Sequence, residues 1–156
     1  MVERKQTRLK YCDYGKNGAY FITICTKDRK KILGKILSVG DDDHIVPKVV
    51  LSKYGLIVEK YIKGINGIDK YVVMPNHIHM IIKINNGTMW SSSPTHSSVP
   101  QIIKTFKTLV SKEIGCSIFQ RSYYAHIIRN EYDYQEIWKY IDENPLKWTL
   151  DKYYCK

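Results

Sequence analysis

Acidic residues are scarce in this chain: 15 Asp and Glu stand against 25 Lys and Arg, a formal charge of +10 over 156 residues. Such a balance favours polyanionic partners, nucleic acid first, although surplus lysine also keeps a protein soluble. Cysteine is sparse and unpaired in pattern. Cys12, Cys25, Cys116 and Cys155 are scattered with no Cys-x-x-Cys spacing, which implies neither a zinc ribbon nor a disulfide framework and reads as reduced thiols of a cytoplasmic protein. No apolar run approaches the length of a membrane span. The opening residues, with Glu3, Arg4, Lys5, Arg8 and Lys10, do not resemble a secretory signal. Low-complexity sequence is confined to residues 85–97, expected to form a flexible loop.

What the chain does hold is apolar and aromatic. Hydrophobic residues make up 44% of it, with thirteen tyrosines and three tryptophans, enough for a single domain over residues 1–156 with one sizeable core. Rings in a basic chain also offer stacking surfaces to unpaired bases, though most must serve the core. Residues 1–17 read as a basic arm. Residues 18–26 are β-branched and aromatic and alternate as a half-buried strand does. Residues 32–47, with Gly34, Gly40 and Asp41-Asp42-Asp43, read as a loop or short hairpin with a solvated acidic turn. Helical spacing predicts helices over 49–62, after the capping box Ser98-Val-Pro-Gln101 as far as Gly115, and over 131–143 ahead of Pro145. Strands are expected at 68–74 and 118–129.

The stretch Tyr71-Val-Val-Met-Pro-Asn-His-Ile-His-Met-Ile-Ile-Lys-Ile84 organises the rest. In a strand, His77 and His79 share one face, about 7 Å apart along the chain, while Ile78, Met80, Ile82 and Ile84 line the other. The apolar face can pack on helices and the two imidazoles can hold one divalent ion. Taken alone, His-x-His more often marks a surface strand with two polar residues.

The order strand, helix, strand, strand, helix, strand is that of an α+β, ferredoxin-like split β-α-β fold. It puts an antiparallel sheet under two helices on one face, here followed by a C-terminal helix. Many unrelated functions share it. On the last helix Tyr134, Ile137, Trp138 and Ile141 form the apolar stripe, and Tyr140 and Asn144 lie one turn apart on its flank. Lys104, Lys107 and Lys112 share a face of the preceding helix, either a solvated surface or a track for phosphates.

Six stretches carry a resemblance. Arg8-Leu-Lys-Tyr-Cys-Asp-Tyr14, residues 18–26, Met74-Pro-Asn-His-Ile-His79, Gln101-Ile-Ile-Lys-Thr-Phe-Lys107, residues 120–130 and Tyr140-Ile-Asp-Glu-Asn-Pro145 resemble the single-tyrosine HUH transposases. The likeness is strongest to the REP-associated tyrosine transposases, relatives of the IS200-type insertion-sequence enzymes. It covers nearly the whole chain in order and spacing, and its most specific feature is Pro-Asn-His-Ile-His joined to Tyr-x-x-x-Asn-Pro. The resemblance implies a metal-dependent single-stranded DNA endonuclease and strand transferase that cleaves beside hairpins through a 5′-phosphotyrosine, without ATP.

It also implies roles. Tyr140 would be the nucleophile, and His77, His79 and Asn144 would hold Mg²⁺ or Mn²⁺, neutral donors that leave the ion its charge as a Lewis acid. Helix spacing agrees, since Tyr140 has Asn144 four positions on, whereas Tyr134 has Trp138 and Tyr132 has Glu136. DNA contacts fall to Arg4, Lys5, Arg8 and Lys10 of the arm, to Lys104 and Lys107, and to Arg121, Tyr123 and Tyr124. The partner is a single-stranded DNA hairpin with a flanking guide sequence, bound by a monomer or by a homodimer with exchanged tyrosine helices. His126 is left outside the metal set, and His44 and His96 are given no role.

Other classes stay open. A ferredoxin-like RNA-binding module would show an aromatic Lys/Arg-Gly-Phe-x-Phe run, and none occurs. A metal-dependent hydrolase would use the histidines without a tyrosine. A domesticated relative would bind DNA hairpins without cutting them.

Overall fold

The computed structural model describes residues 17–40, 46–85 and 98–154. Most of the basic arm, the acidic run and nearly all of the serine-rich loop lie outside the described residues.

Four strands, β1 (Gly18–Cys25), β4 (Ile68–Val73), β5 (His77–Ile84) and β6 (Tyr124–Ile128), form one sheet in the order β4-β5-β1-β6. All neighbours are antiparallel, so β1 and β4 run the same way with β5 between them. This is the expected split β-α-β arrangement. The crossover from β1 to β4 carries a separate hairpin, β2 (Gly34–Val39) and β3 (Val46–Leu51), and then α1 (Lys53–Lys63).

Strand alternation sorts the two faces. Tyr20, Ile22 and Ile24 of β1 and Ile78, Met80 and Ile82 of β5 are buried in the main core, with Val58 and Ile62 of α1 and Ile103, Phe106 and Val110 of α2 (Val99–Ile114). The expected capping box opens α2. Gln101 N donates to Ser98 Oγ at 3.4 Å and Ser98 N to Gln101 Oε1 at 3.2 Å. Gly115, at φ 93°, closes it in the left-handed conformation that glycine adopts freely.

Two boundaries and one helix face differ from the sequence reading. The helix expected from residue 49 starts at Lys53, because Val49, Val50 and Leu51 pair with β2. A few apolar residues fit either period, and Ser52 decides the boundary. Its hydroxyl accepts from Gly55 N at 3.2 Å and donates to Ile32 O at 2.5 Å. Gly55 is required in this helix, since a Cβ there would lie 2.0 Å from Leu33 O. The strand expected over 118–129 is regular only from Tyr124, and Tyr123 precedes it. Before that, Ile118 O and Gln120 N bond instead to Lys27 N and Cys25 O at 2.8 Å, turning the chain around the end of β1.

The third difference concerns α3 (Glu131–Glu143), which packs on the sheet face opposite α1 and α2. Of its expected stripe only Ile141 is fully buried, against Phe21 and Ile81, with Tyr134 and Ile137 half-buried beside it. Burying one isoleucine contributes roughly 2 kcal/mol, so polar ties matter here. Trp138 is 39% exposed and lies 3.4 Å beneath the Lys70 ammonium. Lys70 also pairs with Asp142 at 2.9 Å, and Tyr134 donates to Asp69, fastening α3 to β4. Among the described residues no helix is long and apolar enough to cross a membrane.

Candidate active site

The histidine face of β5 is not the wet side of the sheet. His77 and His79 point the same way, as period two requires, and both are fully buried. Their ring centroids are 4.5 Å apart. Other rings enclose them: Phe21 lies 5.3 Å and Tyr140 5.1 Å from His79, and Tyr153 and Trp148 lie 4.7 and 5.9 Å from His77. Tyr140 belongs to the last turn and a half of α3. Tyr153 and Trp148 belong to the segment that follows, which folds back across the histidines.

Each imidazole uses Nδ1 for a hydrogen bond within the protein. His79 Nδ1 is 2.8 Å from Thr23 Oγ1, its cross-strand partner, and His77 Nδ1 is 2.8 Å from Asn76 Oδ1. The Nε2 atoms are left for the site. His77 Nε2 and Asn144 Oδ1 are buried without a hydrogen-bond partner. A buried polar atom in that condition costs about 1–3 kcal/mol unless something unseen satisfies it.

Asp151 completes the group. Its ligand oxygen and a nitrogen from each histidine lie within 4.8 Å of one another. Asp151 Oδ2 accepts from Asn144 Nδ2 at 2.7 Å and from the Tyr140 hydroxyl at 3.3 Å, while the Tyr140 oxygen is 3.4 Å from His79 Nε2.

Burial sets the protonation states. Desolvation lowers His77 to about 4, against the opposing pull of the Asp151 carboxylate and of the Asn144 amide, which lies near the ring without reaching hydrogen-bond geometry. Desolvation, with His77 adding to it, holds His79 well below the ordinary histidine range. Both rings are therefore neutral near pH 7, the form that ligates metal. Burial first, and then the Asp151 carboxylate, push the Tyr140 phenol up, so its proton is held firmly. Two neutral imidazoles, an unpartnered amide oxygen and a carboxylate make an N/O donor set that can hold a divalent metal ion. Cys25 stands opposite His77 in register, yet the cluster found among the described residues is His77, His79 and Asp151.

The residues expected to touch DNA are dispersed. Lys104 is exposed on α2, across the sheet from the histidines. Lys107 donates to the carbonyls of Gln120 at 2.7 Å and Arg121 at 3.3 Å, bracing the chain before β6. Arg121 is exposed and Tyr123 is buried in the core. Tyr124 is part-exposed on the histidine face, 6.3 Å from Phe21 and 5.5 Å from the Lys152 ammonium. Arg4, Lys5, Arg8 and Lys10 lie outside the described residues. His126 bonds Asp133 at 2.9 Å, joining β6 to the first turn of α3. Sequence reasoning missed Asp151, Trp148, Tyr153, Asn76 and Thr23. The signal for the tail residues was three aromatics beyond Pro145, and for Asn76 its place inside the Pro-Asn-His-Ile-His stretch.

A split β-α-β sheet thus places a histidine strand against a tyrosine-bearing helix. The family described as Transposase IS200 like matches residues 15–144, and the chain belongs to that family. An uncharacterized protein of Haemophilus influenzae (strain Rd) is 32% identical over 176 residues, covering 97% of this chain and 93% of that protein. A solved REP-associated tyrosine transposase bound to a REP hairpin shares the fold, with a TM-score of 0.63 at 22% identity over 93% of this chain and 77% of that one. A putative transposase of Deinococcus radiodurans R1 is 17% identical, with a TM-score of 0.47 over 87% of this chain and 97% of that one.

Proposed function

We propose that this transposase is a metal-dependent single-stranded DNA endonuclease and strand transferase that cuts beside hairpins and holds the cut strand as a 5′-phosphotyrosine on Tyr140. The observation that carries this is convergence: two buried, unpartnered donors, His77 Nε2 and Asn144 Oδ1, share one site with a phenol 3.4 Å from His79 Nε2. On this reading residues 1–156 form one transposase domain. His77, His79 and Asn144 would hold Mg²⁺ or Mn²⁺, with Asp151 as a further donor. Bound there, the ion supplies Lewis-acid charge for the scissile phosphate.

The chain's own residues do the rest. Asp151 Oδ2 is placed to receive the Tyr140 proton. The phenolic oxygen then bonds to phosphorus as the P–O3′ bond breaks, and the departing 3′ oxygen takes up a proton. The phenol, with a pKa of ~10 in water, leaves again more readily than an alkoxide, so a 3′-hydroxyl can reverse the step without ATP. Phe21, Trp148 and Tyr153 keep water from the imidazoles, which favours strand transfer over hydrolysis.

The net charge, the part-exposed Tyr124 and the hairpin held by the structurally similar transposase support a single-stranded hairpin with a flanking guide sequence as substrate. The test is incubation with Mn²⁺ and hairpin-bearing single strands from the flanks of the chain's own gene. A denaturation-resistant adduct that maps to Tyr140 is expected. Release of a free 5′-phosphate with no adduct would identify a hydrolase instead.

A further inference from the structure

We infer that Asn76 is a positioning residue that selects the ligand-competent tautomer of His77, an inference that rests on reading His77 as a ligand. Asn76 lies in the turn between β4 and β5 and is fully buried. The two ends of its amide are not interchangeable. Nδ2 lies 2.8 Å from the carbonyl oxygen of Tyr153 and 3.4 Å from that of Arg29. Carbonyls only accept, so the NH₂ end must face them. The oxygen end is thereby turned to His77 Nδ1, 2.8 Å away. An amide oxygen also only accepts, so Nδ1 carries the hydrogen, and Nε2 of the neutral ring is left with a lone pair. That Nε2 is the buried atom without a partner. The other tautomer would set two lone pairs against each other and aim an N–H into the cluster.

The amide cannot swing to accommodate it. The Asn76 backbone carbonyl accepts from Thr26 N at 3.0 Å and from Thr26 Oγ1 at 3.1 Å. Arg29, whose carbonyl helps to orient the amide, is held in the left-handed region at φ 52°, next to Asp28 at φ 55°. Non-glycine residues keep that conformation only where neighbours enforce it. His79 is under no such rule, because the Thr23 hydroxyl at its Nδ1 can donate or accept. Asn76 therefore does for His77 what a carboxylate does in many metal sites, and it also clasps the segment that carries Asp151 through Tyr153 O.

The test compares the full chain as wild type, Asn76→Ala and Asn76→Asp in two measurements that need neither DNA nor turnover. Long-range ¹H–¹⁵N spectra of the metal-free protein read each imidazole's tautomer, and electron paramagnetic resonance follows Mn²⁺ binding. His77 should carry its hydrogen on Nδ1 in the wild type. Asn76→Ala should lose that preference and bind Mn²⁺ about 10- to 100-fold more weakly. Asn76→Asp still offers an acceptor to Nδ1 and should keep the tautomer, while losing the bonds to the carbonyls of Tyr153 and Arg29. A wild-type His77 with its hydrogen on Nε2 overturns the inference, even if Asn76→Ala fails to fold. So does an Asn76→Ala protein with wild-type Mn²⁺ affinity. If the tautomer depends on Asn76 yet the wild type binds no Mn²⁺, the selection stands and the metal reading of the site falls.

Discussion

The Tyr140 hydroxyl stands 3.4 Å from His79 Nε2 and 3.3 Å from Asp151 Oδ2, so one phenol is shared between a buried imidazole and a carboxylate. It opens onto a cleft of about 300 Å³ lined by residues such as Lys139, Asn144, Lys147 and Asp151. Glu136 and Glu143 line the same cleft, and both lysines pair with Glu143, at 3.9 and 2.6 Å.

Tyr140→Phe should eliminate the covalent adduct while leaving hairpin affinity unchanged. The hydroxyl's contacts are long and the ring is 38% exposed, so stability should change by less than about 1 kcal/mol. Peptide mapping of trapped adducts checks the assignment. An adduct persisting in the variant would move the nucleophile elsewhere.

Divalent cation should stabilise the folded chain, because binding to the native state alone raises Tm. Replacing both His77 and His79 by Ala should remove the Tm rise and the Mn²⁺-dependent cleavage together, with hairpin binding largely retained. Calorimetry with and without Mn²⁺ reads the first effect, and cleavage surviving in the double variant would end the metal-site reading.

Acid should loosen the metal-free fold as pH falls below the ordinary histidine range. The unfolded chain protonates its histidines below about 6.5, whereas folded His77 resists down to about 4 and folded His79 stays neutral well below the ordinary histidine range. Stability is thus complete above about pH 6.5 and declines as pH falls toward 4, by up to about 1.4 kcal/mol per pH unit for each histidine. Urea titrations at intervals across that window measure it, and His77→Ala should flatten the slope.

Salt dependence should separate two lysines that the sequence pairs. Lys104 is exposed, and on the proposed role of a phosphate contact its replacement by Ala should lower the slope of log K against log salt by about 1. Lys107 braces the carbonyls of Gln120 and Arg121. Its loss should lower Tm, and unchanged Tm in Lys107→Ala would return that residue to the DNA surface.

The fold was legible where one period acts over a long run. Alternation from His77 to Ile84 separates the chemical face from the apolar face, and the Ser98–Gln101 capping box marks the start of α2. It was least legible where periods overlap. Val49, Val50 and Leu51 suit a helix or a strand, and only their pairing with β2 decides. Trp138 scans as core yet serves as a platform for Lys70, a residue distant in sequence. The meeting of Asp151 with Tyr140 and Asn144 depends on a chain reversal after α3 that no local pattern encodes.

The sheet order has a further consequence for how the site comes apart. β5 is bonded along both edges, to β1 and to β4, so the amides around His77 and His79 can exchange with solvent hydrogen only when the whole sheet opens. Asp151 and Tyr153 sit on a short segment kept in place by side-chain bonds from Asn144 and Asn76 and by ring contacts. Their amides are expected to exchange through smaller openings than those of β5. On that expectation the candidate site joins a sheet that opens only with the protein to a tail that can open while the histidine pair stays folded.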